Sequence, residues 1–432
     1  MESMNGELAL FGGSKFIAVD FPRYRTIGKE EVVAATEVLE SGNLSQFLGS
    51  WGPDFFGGPK VQEFEEACAN YFGIKHAITV NSWTSGLVAA VGAIGVGPGD
   101  EVIVPSWTMS ASASAILHWN GIPVFADIDT DSFCMDIEAV KKLITKRTVA
   151  IMTVDIFGQS ANILQIVELA HGLGIKVICD TAQAPGARVG TKLAGTLGDI
   201  GGISLNYHKH IHTGEGGVLF TDDDELADRM RLIRNHAEVV VEPKGETRLD
   251  NMVGHNFRLG EIESAIGIEQ LRKLPALAER RQRAAEQLSL GLANLTGLLL
   301  PKVSAGNTHV YYVYGMILEG HALEVGRPAI IAALEAEGVI GLMNGYQNIH
   351  LLPVYQNKIA FGNDGFPWTS PYCDNEVSYA KGICPVSEAL HDSSFLGLQF
   401  CLFEYGSSEV QMVIGAFQKV WANLEVLSGS LR

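Results

Sequence analysis

The stretch "NYHKHIHTGEGG" (206–217) concentrates side chains that can bind a metal or react covalently. His208, His210 and His212 lie two residues apart, and in a β-strand this spacing would direct all three to one face, as a metal site requires. Lys209 stands among them. Burial and neighbouring imidazoles would both lower the pKa of its amine, which favours covalent attack on a carbonyl group. A lysine at the protein surface is the alternative interpretation.

Two further stretches place polar groups where a predicted strand ends. "KVICD" ends in Asp180, and an acid at the end of a buried apolar strand is costly unless it meets a cation or several donors. "HAITVN" continues into residues 82–85 at a predicted helix N-terminus, whose N–H groups, dipole and hydroxyls suit a phosphate. Helix capping alone would explain either feature. Together with Lys209 they provide a phosphate site, an acid for a charged ring nitrogen and an amine, which predicts a site for pyridoxal phosphate (PLP).

The elements that must position these groups form an alternating pattern of strands and helices. Short apolar runs alternate with amphipathic runs of helix length, which predicts an α/β fold with a mostly parallel sheet between helices. In such a sheet, ligands bind beyond the carboxyl ends of the strands. The predicted strands are 76–81, 101–105, 123–129, 148–156, 176–180, 201–205 and 217–221.

The length of 432 residues predicts two domains, because one ordinary core rarely grows that large. We place the join at Pro275, where a second, polar helix is expected to begin. Residues 1–275 would then form a large PLP-binding domain with an N-terminal arm, and residues 276–432 a smaller α+β domain. Residues 347–383, rich in Gly, Pro and aromatic residues, are expected to be either functional or disordered.

Composition argues against several classes of partner. Lys and Arg number 31 against 49 Asp and Glu, a net charge of −18, so no nucleic-acid or anionic-membrane partner is expected. The six cysteines form no CxxC pair, which argues against a zinc site or a disulfide framework. The first residues do not resemble a signal peptide, and no apolar run approaches the roughly 18 residues of a membrane span. A cytoplasmic location is therefore expected.

Several longer stretches resemble one protein family. They are "FGGPKVQEFEEACANYFGIKHAITVNSWTSGL", "VICDTAQAPGA", "ISLNYHKHIHTGEGGVLFTDD", "GHNFRLGEIESAIGIEQL" and "KGICPVSEALHDSSFLGLQFCLFE". These stretches look like the sugar aminotransferases of the DegT/DnrJ/StrS type, which are fold-type I PLP enzymes. The resemblance extends over about residues 25 to 425, and the motif Lys-x-Ile-x-x-x-Glu-Gly-Gly around Lys209 is its most specific part.

The resemblance implies a role for each matching residue. Lys209 would carry the cofactor, Asp180 would pair with its ring nitrogen, and Gln183 would approach its ring hydroxyl. The phosphate would be held by Thr84 and Ser204, by the backbone at Trp83 and Ser85, and by Asn256 of a partner subunit. This last contact implies a homodimer with shared active sites.

Two positions depart from the family pattern. Trp83 replaces a small residue, and Met109 replaces an aromatic residue that stacks on the cofactor ring. Trp107 or Trp83 could supply that stacking instead. The resemblance also places the three histidines in a turn-rich loop. This disfavours a metal site and suggests that the histidines line the cofactor pocket or a dimer contact.

The resulting hypothesis is an aminotransferase. It would move an amino group from glutamate or glutamine to a keto-sugar, often nucleotide-linked, or to a keto-cyclitol. A PLP-dependent sugar dehydratase is the first alternative, although Lys209 argues against it because dehydrating members can carry His at this position. A non-catalytic regulatory relative is the second.

Overall fold

A seven-stranded sheet organises the larger part of the chain. The computed structural model describes residues 6–373 and 376–430. The sheet order is β1-β9-β8-β5-β4-β2-β3, and β9 runs antiparallel to both neighbours while the other strands share one direction. The fold class is thus confirmed. The strands are β1 (His76–Val80), β2 (Glu101–Pro105), β3 (Ile122–Ala126), β4 (Thr148–Val154), β5 (Lys176–Asp180), β8 (Ile200–Ser204) and β9 (Gly217–Thr221), with a hairpin of β6 (Arg188–Val189) and β7 (Lys192–Leu193) between β5 and β8.

Helices cover both faces of this sheet, because its strands are apolar on both sides. Side-chain caps fix several helix starts: Ser82, Asp136 and Asp223 each accept a hydrogen bond from a backbone N–H of the first turn. The helices up to residue 244 are α1 (Lys29–Ser41), α2 (Pro59–Phe72), α3 (Trp83–Ile94), α4 (Ser110–His118), α5 (Ile137–Leu143), α6 (Ile163–Gly172), α7 (Asp224–Arg234) and α8 (Ala237–Lys244).

One long helix, α9 (Glu261–Leu292), runs through the position where a new helix was expected to begin. Pro275 lies exposed within it. A proline inside a helix removes a hydrogen bond and costs roughly 3 kcal/mol. Leu271, Leu274 and Leu277 are buried on either side of Pro275, and their packing holds the helix together across it. The division into domains at residue 275 stays a prediction.

The C-terminal part is built on a four-stranded antiparallel sheet of order β10-β11-β13-β12. Its core also takes in Leu8, Ile17 and Phe21 from the N-terminal arm. Glu337 fastens this arm, because its carboxylate accepts the backbone N–H groups of Ala9 and Phe16. The strands are β10 (Leu298–Leu299), β11 (Tyr314–Leu318), β12 (Leu342–Met343) and β13 (Phe395–Leu398), and the helices are α10 (Gly320–Leu323), α11 (Arg327–Ala336), α12 (Pro353–Gln356), α13 (Pro385–Ala389), α14 (Ser407–Trp421) and α15 (Leu424–Ser430).

The segment 347–383 packs against the edge of the large sheet. Tyr355 and Tyr379 are buried beside Phe125 of β3. The hydroxyl of Tyr379 donates to the carbonyl of Pro123, and the indole N–H of Trp368 donates to that hydroxyl, each at 2.8 Å. Residues 374–375 of the segment lie outside the described residues. Among the described helices, none is long and apolar enough to cross a membrane.

Candidate active site

A cavity of about 240 Å³ lies at the carboxyl edge of the large sheet, where the strand directions predict a ligand site. The residues that line it follow β1, β2, β5 and β8 in the chain, and the C-terminal part adds others. Seven of the ten residues predicted to carry or contact the cofactor meet there: Trp83, Thr84, Met109, Asp180, Gln183, Ser204 and Lys209.

Lys209 lies in the loop between β8 and β9. The loop is closed by Gly216, whose φ of +149° suits glycine and where a Cβ would come 2.9 Å from the hydroxyl of Thr213. The side chain of Lys209 is buried, and its ammonium lies 4.5 Å from the centre of the Tyr312 ring. Burial lowers the pKa of Lys209 from 10.5 to about 8, although the Asp180 carboxylate opposes the shift. The amine is therefore partly neutral near physiological pH, as a nucleophile requires.

Asp180 ends β5 and is buried beneath the cavity. Its Oδ1 accepts the indole N–H of Trp83 at 2.6 Å and the backbone N–H of Ala182 at 3.2 Å. Its Oδ2 accepts the hydroxyl of Ser112 at 2.8 Å. Burial raises the pKa of Asp180, while these donors and Lys209 counteract the rise. An acid with donors on both oxygens can stay ionised in this buried place and meet a cation in the cavity.

The N-terminus of α3 supplies the anion-binding side of the cavity. Ser82 caps the helix through the N–H of Ser85, and the first backbone N–H groups of any helix lack intrahelical partners. The hydroxyl-bearing residues Ser82, Thr84 and Ser204 all line the cavity beside this helix end. The arrangement suits a phosphate, and the predicted roles of Thr84 and Ser204 in binding one stay a prediction.

Gln183 connects the cavity to the C-terminal part of the chain. Its Oε1 accepts the N–H of Phe157 at 2.9 Å, and its Nε2 donates to the Tyr346 hydroxyl at 3.1 Å. One amide proton of Nε2 is left to donate to a ligand hydroxyl. The geometry of Gln183 is thus compatible with the role that the resemblance implies.

The three histidines of the opening stretch have different surroundings. His208 lines the cavity, and its Nδ1 lies 2.6 Å from the Tyr312 hydroxyl. Burial, with help from Lys209, lowers the pKa of His208 to about 4, so the ring is neutral. His210 is fully buried and its Nε2 bonds to the carbonyl of Val310. Within residues 6–373 and 376–430, no group of three or more His, Cys, Asp or Glu could hold a metal ion.

Three residues singled out from the sequence do not line the cavity. Trp107 is fully buried behind it, against Tyr346 and Phe395. Ser85 lies in the first turn of α3, where its hydroxyl meets that of Ser82. Asn256 is exposed at the surface, and its Oδ1 accepts a hydrogen bond from Arg258 at 2.7 Å.

Four residues at the site were not assigned a role from the sequence. Tyr312 and Tyr346 line the cavity from the C-terminal part, Ser112 holds Asp180 from α4, and Glu215 lines the cavity while bonding to Asn206. The motif "GEGG" already contained Glu215. The two tyrosines come from distant stretches, and no local pattern marked them as reaching this cavity.

The sequence matches the model of the DegT/DnrJ/EryC1/StrS aminotransferase family over residues 26–388. It is 38% identical to a GDP-perosamine synthase of Caulobacter vibrioides over 69% of this chain and 79% of that protein. It is 34% identical to an L-glutamine:2-deoxy-scyllo-inosose aminotransferase of Streptomyces lividus over 96% of this chain and 98% of that protein. An aminotransferase structure from Psychrobacter cryohalolentis superposes with a TM-score of 0.79 at 26% identity, covering 94% of this chain and all of that one.

Proposed function

This chain belongs to the DegT/DnrJ/EryC1/StrS aminotransferase family of PLP-dependent enzymes, and we propose that it transfers an amino group from glutamine or glutamate to a keto-sugar or keto-cyclitol. The observation that carries the proposal is the single cavity that brings buried Lys209, buried Asp180 and the N-terminus of α3 together. An amine, an acid and an anion site are the three groups that PLP needs.

The residues of the cavity fit this cofactor in charge and in position. Lys209 would bind its aldehyde carbon, Asp180 would face its ring nitrogen, and Gln183 would donate to its ring hydroxyl. Thr84 and Ser204, with the backbone of Trp83, would hold its phosphate. The N–H of Ser85, which was also predicted to do so, is directed at Ser82 Oγ at 3.1 Å. PLP, when bound, withdraws electrons from the substrate carbon that loses a proton.

Lys209 then has a second task. Its Nζ would serve as the acid–base group of the site, accepting the proton that the substrate carbon loses and later giving it back. A pKa of about 8 suits such an acid–base group, because proton transfer in both directions is efficient when the pKa lies near the working pH. The carboxylate of Asp180 would support this step by stabilising a positive charge on the ring nitrogen.

The names of two relatives support this class of acceptor. One is named for an amino-sugar product linked to GDP and another for a cyclitol ketone with glutamine as the donor. The cyclitol enzyme is matched over 96% of this chain, against 69% for the other. We therefore place 2-deoxy-scyllo-inosose and related cyclitol ketones first among the acceptors to be tested, and nucleotide-linked keto-sugars second.

We further propose a homodimer with shared active sites. Met109 and Tyr207 leave large side chains exposed beside the cavity, which a second subunit would cover. The side-chain oxygen of Asn256 already accepts a hydrogen bond from Arg258. The amide N–H₂ group of Asn256 is therefore the end that can donate to a phosphate across the interface. None of the six cysteines, all of which lie among the described residues, forms a disulfide, and this fits work in the reducing cytoplasm.

The test is a half-reaction. Purified protein should be yellow and should keep PLP on Lys209 after borohydride reduction, as peptide mapping would show. Adding glutamine or glutamate should convert the cofactor to its amine form, and a keto-cyclitol or keto-sugar should reverse the change. Protein that holds PLP on Lys209 but releases water from a deoxysugar substrate without this conversion would be a dehydratase. Protein that binds no PLP would overturn the proposal.

A further inference from the structure

The indole of Trp83 is bonded to the acid of the site. Trp83 is the first residue of α3, its side chain is only 5% exposed, and its N–H lies 2.6 Å from Asp180 Oδ1. Ser112 donates to the other carboxylate oxygen at 2.8 Å. The two donors come from different helices and hold the carboxylate from two sides.

The indole of Trp83 packs against two glycines, one in its own helix and one in a neighbouring strand. A Cβ on Gly86 would come 2.9 Å from Trp83 Cε3, and one on Gly202 would come 2.3 Å from its Cζ3. Gly202 pairs with Asp180 across the ladder between β5 and β8. The ring therefore lies over the neighbouring strand with little freedom to rotate, and its N–H stays directed at Asp180.

We propose that Trp83 is a positioning residue that holds the Asp180 carboxylate in the orientation in which it faces the ring nitrogen of PLP. This inference rests on the proposed function. Carboxylates rotate broadly about their last side-chain bond, so a fixed orientation needs a fixed donor. Each carboxylate oxygen can accept two hydrogen bonds. Trp83 and Ala182 fill both positions on Oδ1, so a charged donor in the cavity would bond to Oδ2, where Ser112 fills only one.

The alternative is that Trp83 has a purely structural role and only fills space. A matched pair of variants distinguishes this role from the positioning role. Trp83→Phe keeps an aromatic ring and removes the N–H. Trp119→Phe makes the same change at another buried tryptophan, whose N–H donates to the carbonyl of Val88 at 2.7 Å, away from Asp180. Both variants should lose stability, because both remove one buried hydrogen bond and leave a small void.

Kinetics of the amino-donor half-reaction give the first readout. In Trp83→Phe the rate at saturating donor should fall about tenfold, the equivalent of about 1.4 kcal/mol, while the donor concentration at half saturation stays unchanged. Trp119→Phe should keep the parent rate. Equal rates for the two variants, or a Trp83→Phe rate within twofold of the parent, would overturn the proposal.

The second readout needs neither activity nor cofactor. The protein contains six tryptophans, so indole ¹⁵N labelling gives six N–H resonances, and the one lost in Trp83→Phe belongs to Trp83. Asp180→Asn should shift that resonance and leave that of Trp119 in place. An unmoved Trp83 signal would show that the bond is absent, whether or not the protein proves to be an aminotransferase. If Trp83→Phe fails to fold, the signal lost in Trp119→Phe identifies the resonance of Trp119. Of the other five resonances, the one that moves in Asp180→Asn must then be the most downfield for the proposal to stand.

Discussion

Removing the amine of Lys209 should change how the stability of the cofactor-free protein depends on pH. Burial lowers the pKa of Lys209 from 10.5 to about 8, so the unfolded chain binds the proton more tightly than the folded protein. The free energy of unfolding therefore increases as the pH rises from about 8 to 10.5, and this added stability is lost again as the pH falls to about 8. The full span, 2.5 pKa units, corresponds to about 3.4 kcal/mol.

The assay compares the parent protein with Lys209→Met, each prepared without PLP. Methionine has a similar length and no charge, and every other titrating group is common to the two proteins. Urea unfolding at fixed protein concentration should give a stability difference that favours the parent by about 2 kcal/mol more at pH 9.5 than at pH 7. A difference that stays constant within about 0.5 kcal/mol across this range would refute the reasoning, because Lys209 would then titrate as a lysine in water.

Three further outcomes are expected. Asp180→Asn should stay folded by circular dichroism but slow the glutamate half-reaction of PLP-saturated protein at least about 100-fold, or roughly 2.7 kcal/mol, whereas a capping role alone would leave the rate within a few-fold of the parent. Asn256→Ala should release PLP faster on dialysis, and a fully active monomer in sedimentation would contradict the shared site. Gly86→Ala should destabilise the parent protein, because the new Cβ meets the Trp83 ring at 2.9 Å. The same change in a Trp83→Ala background should instead be neutral or stabilise it by up to about 1 kcal/mol in thermal unfolding, since alanine is the better helix former.

The sheet was predictable because each of its strands is a short apolar run that either ends in a polar residue or is followed directly by one. Asp180 and Lys209 were predictable as a pair for a related reason: parallel strands deliver their carboxyl ends to one edge, so residues far apart in sequence meet there. The placement of Trp107 and the reach of Tyr312 and Tyr346 into the cavity were not predictable. They depend on how the C-terminal part packs against the large sheet, and the local hydrophobic periodicity of the sequence does not predict that packing.

The long helix shows the limit of a local rule. Proline usually ends a helix, and Pro275 led to the expectation of a break. The buried leucines on both sides belong to one packed surface, and tertiary packing outweighs a local cost of a few kcal/mol. Trp83 shows the same limit in another form, because a tryptophan beside a helix start gives no sign in the sequence that its N–H will meet an aspartate 97 positions later.

The fit of Trp83 over Gly86 also has a historical consequence. A lineage with a small residue at position 83 can carry alanine at position 86 and gain helix stability, but it cannot then acquire tryptophan without a steric collision. In such a lineage glycine must first replace the alanine, at a cost of about 1 kcal/mol in helix stability. The two positions should therefore change together among descendants of a common ancestor, and a reconstructed series of ancestral sequences should show glycine at 86 preceding tryptophan at 83.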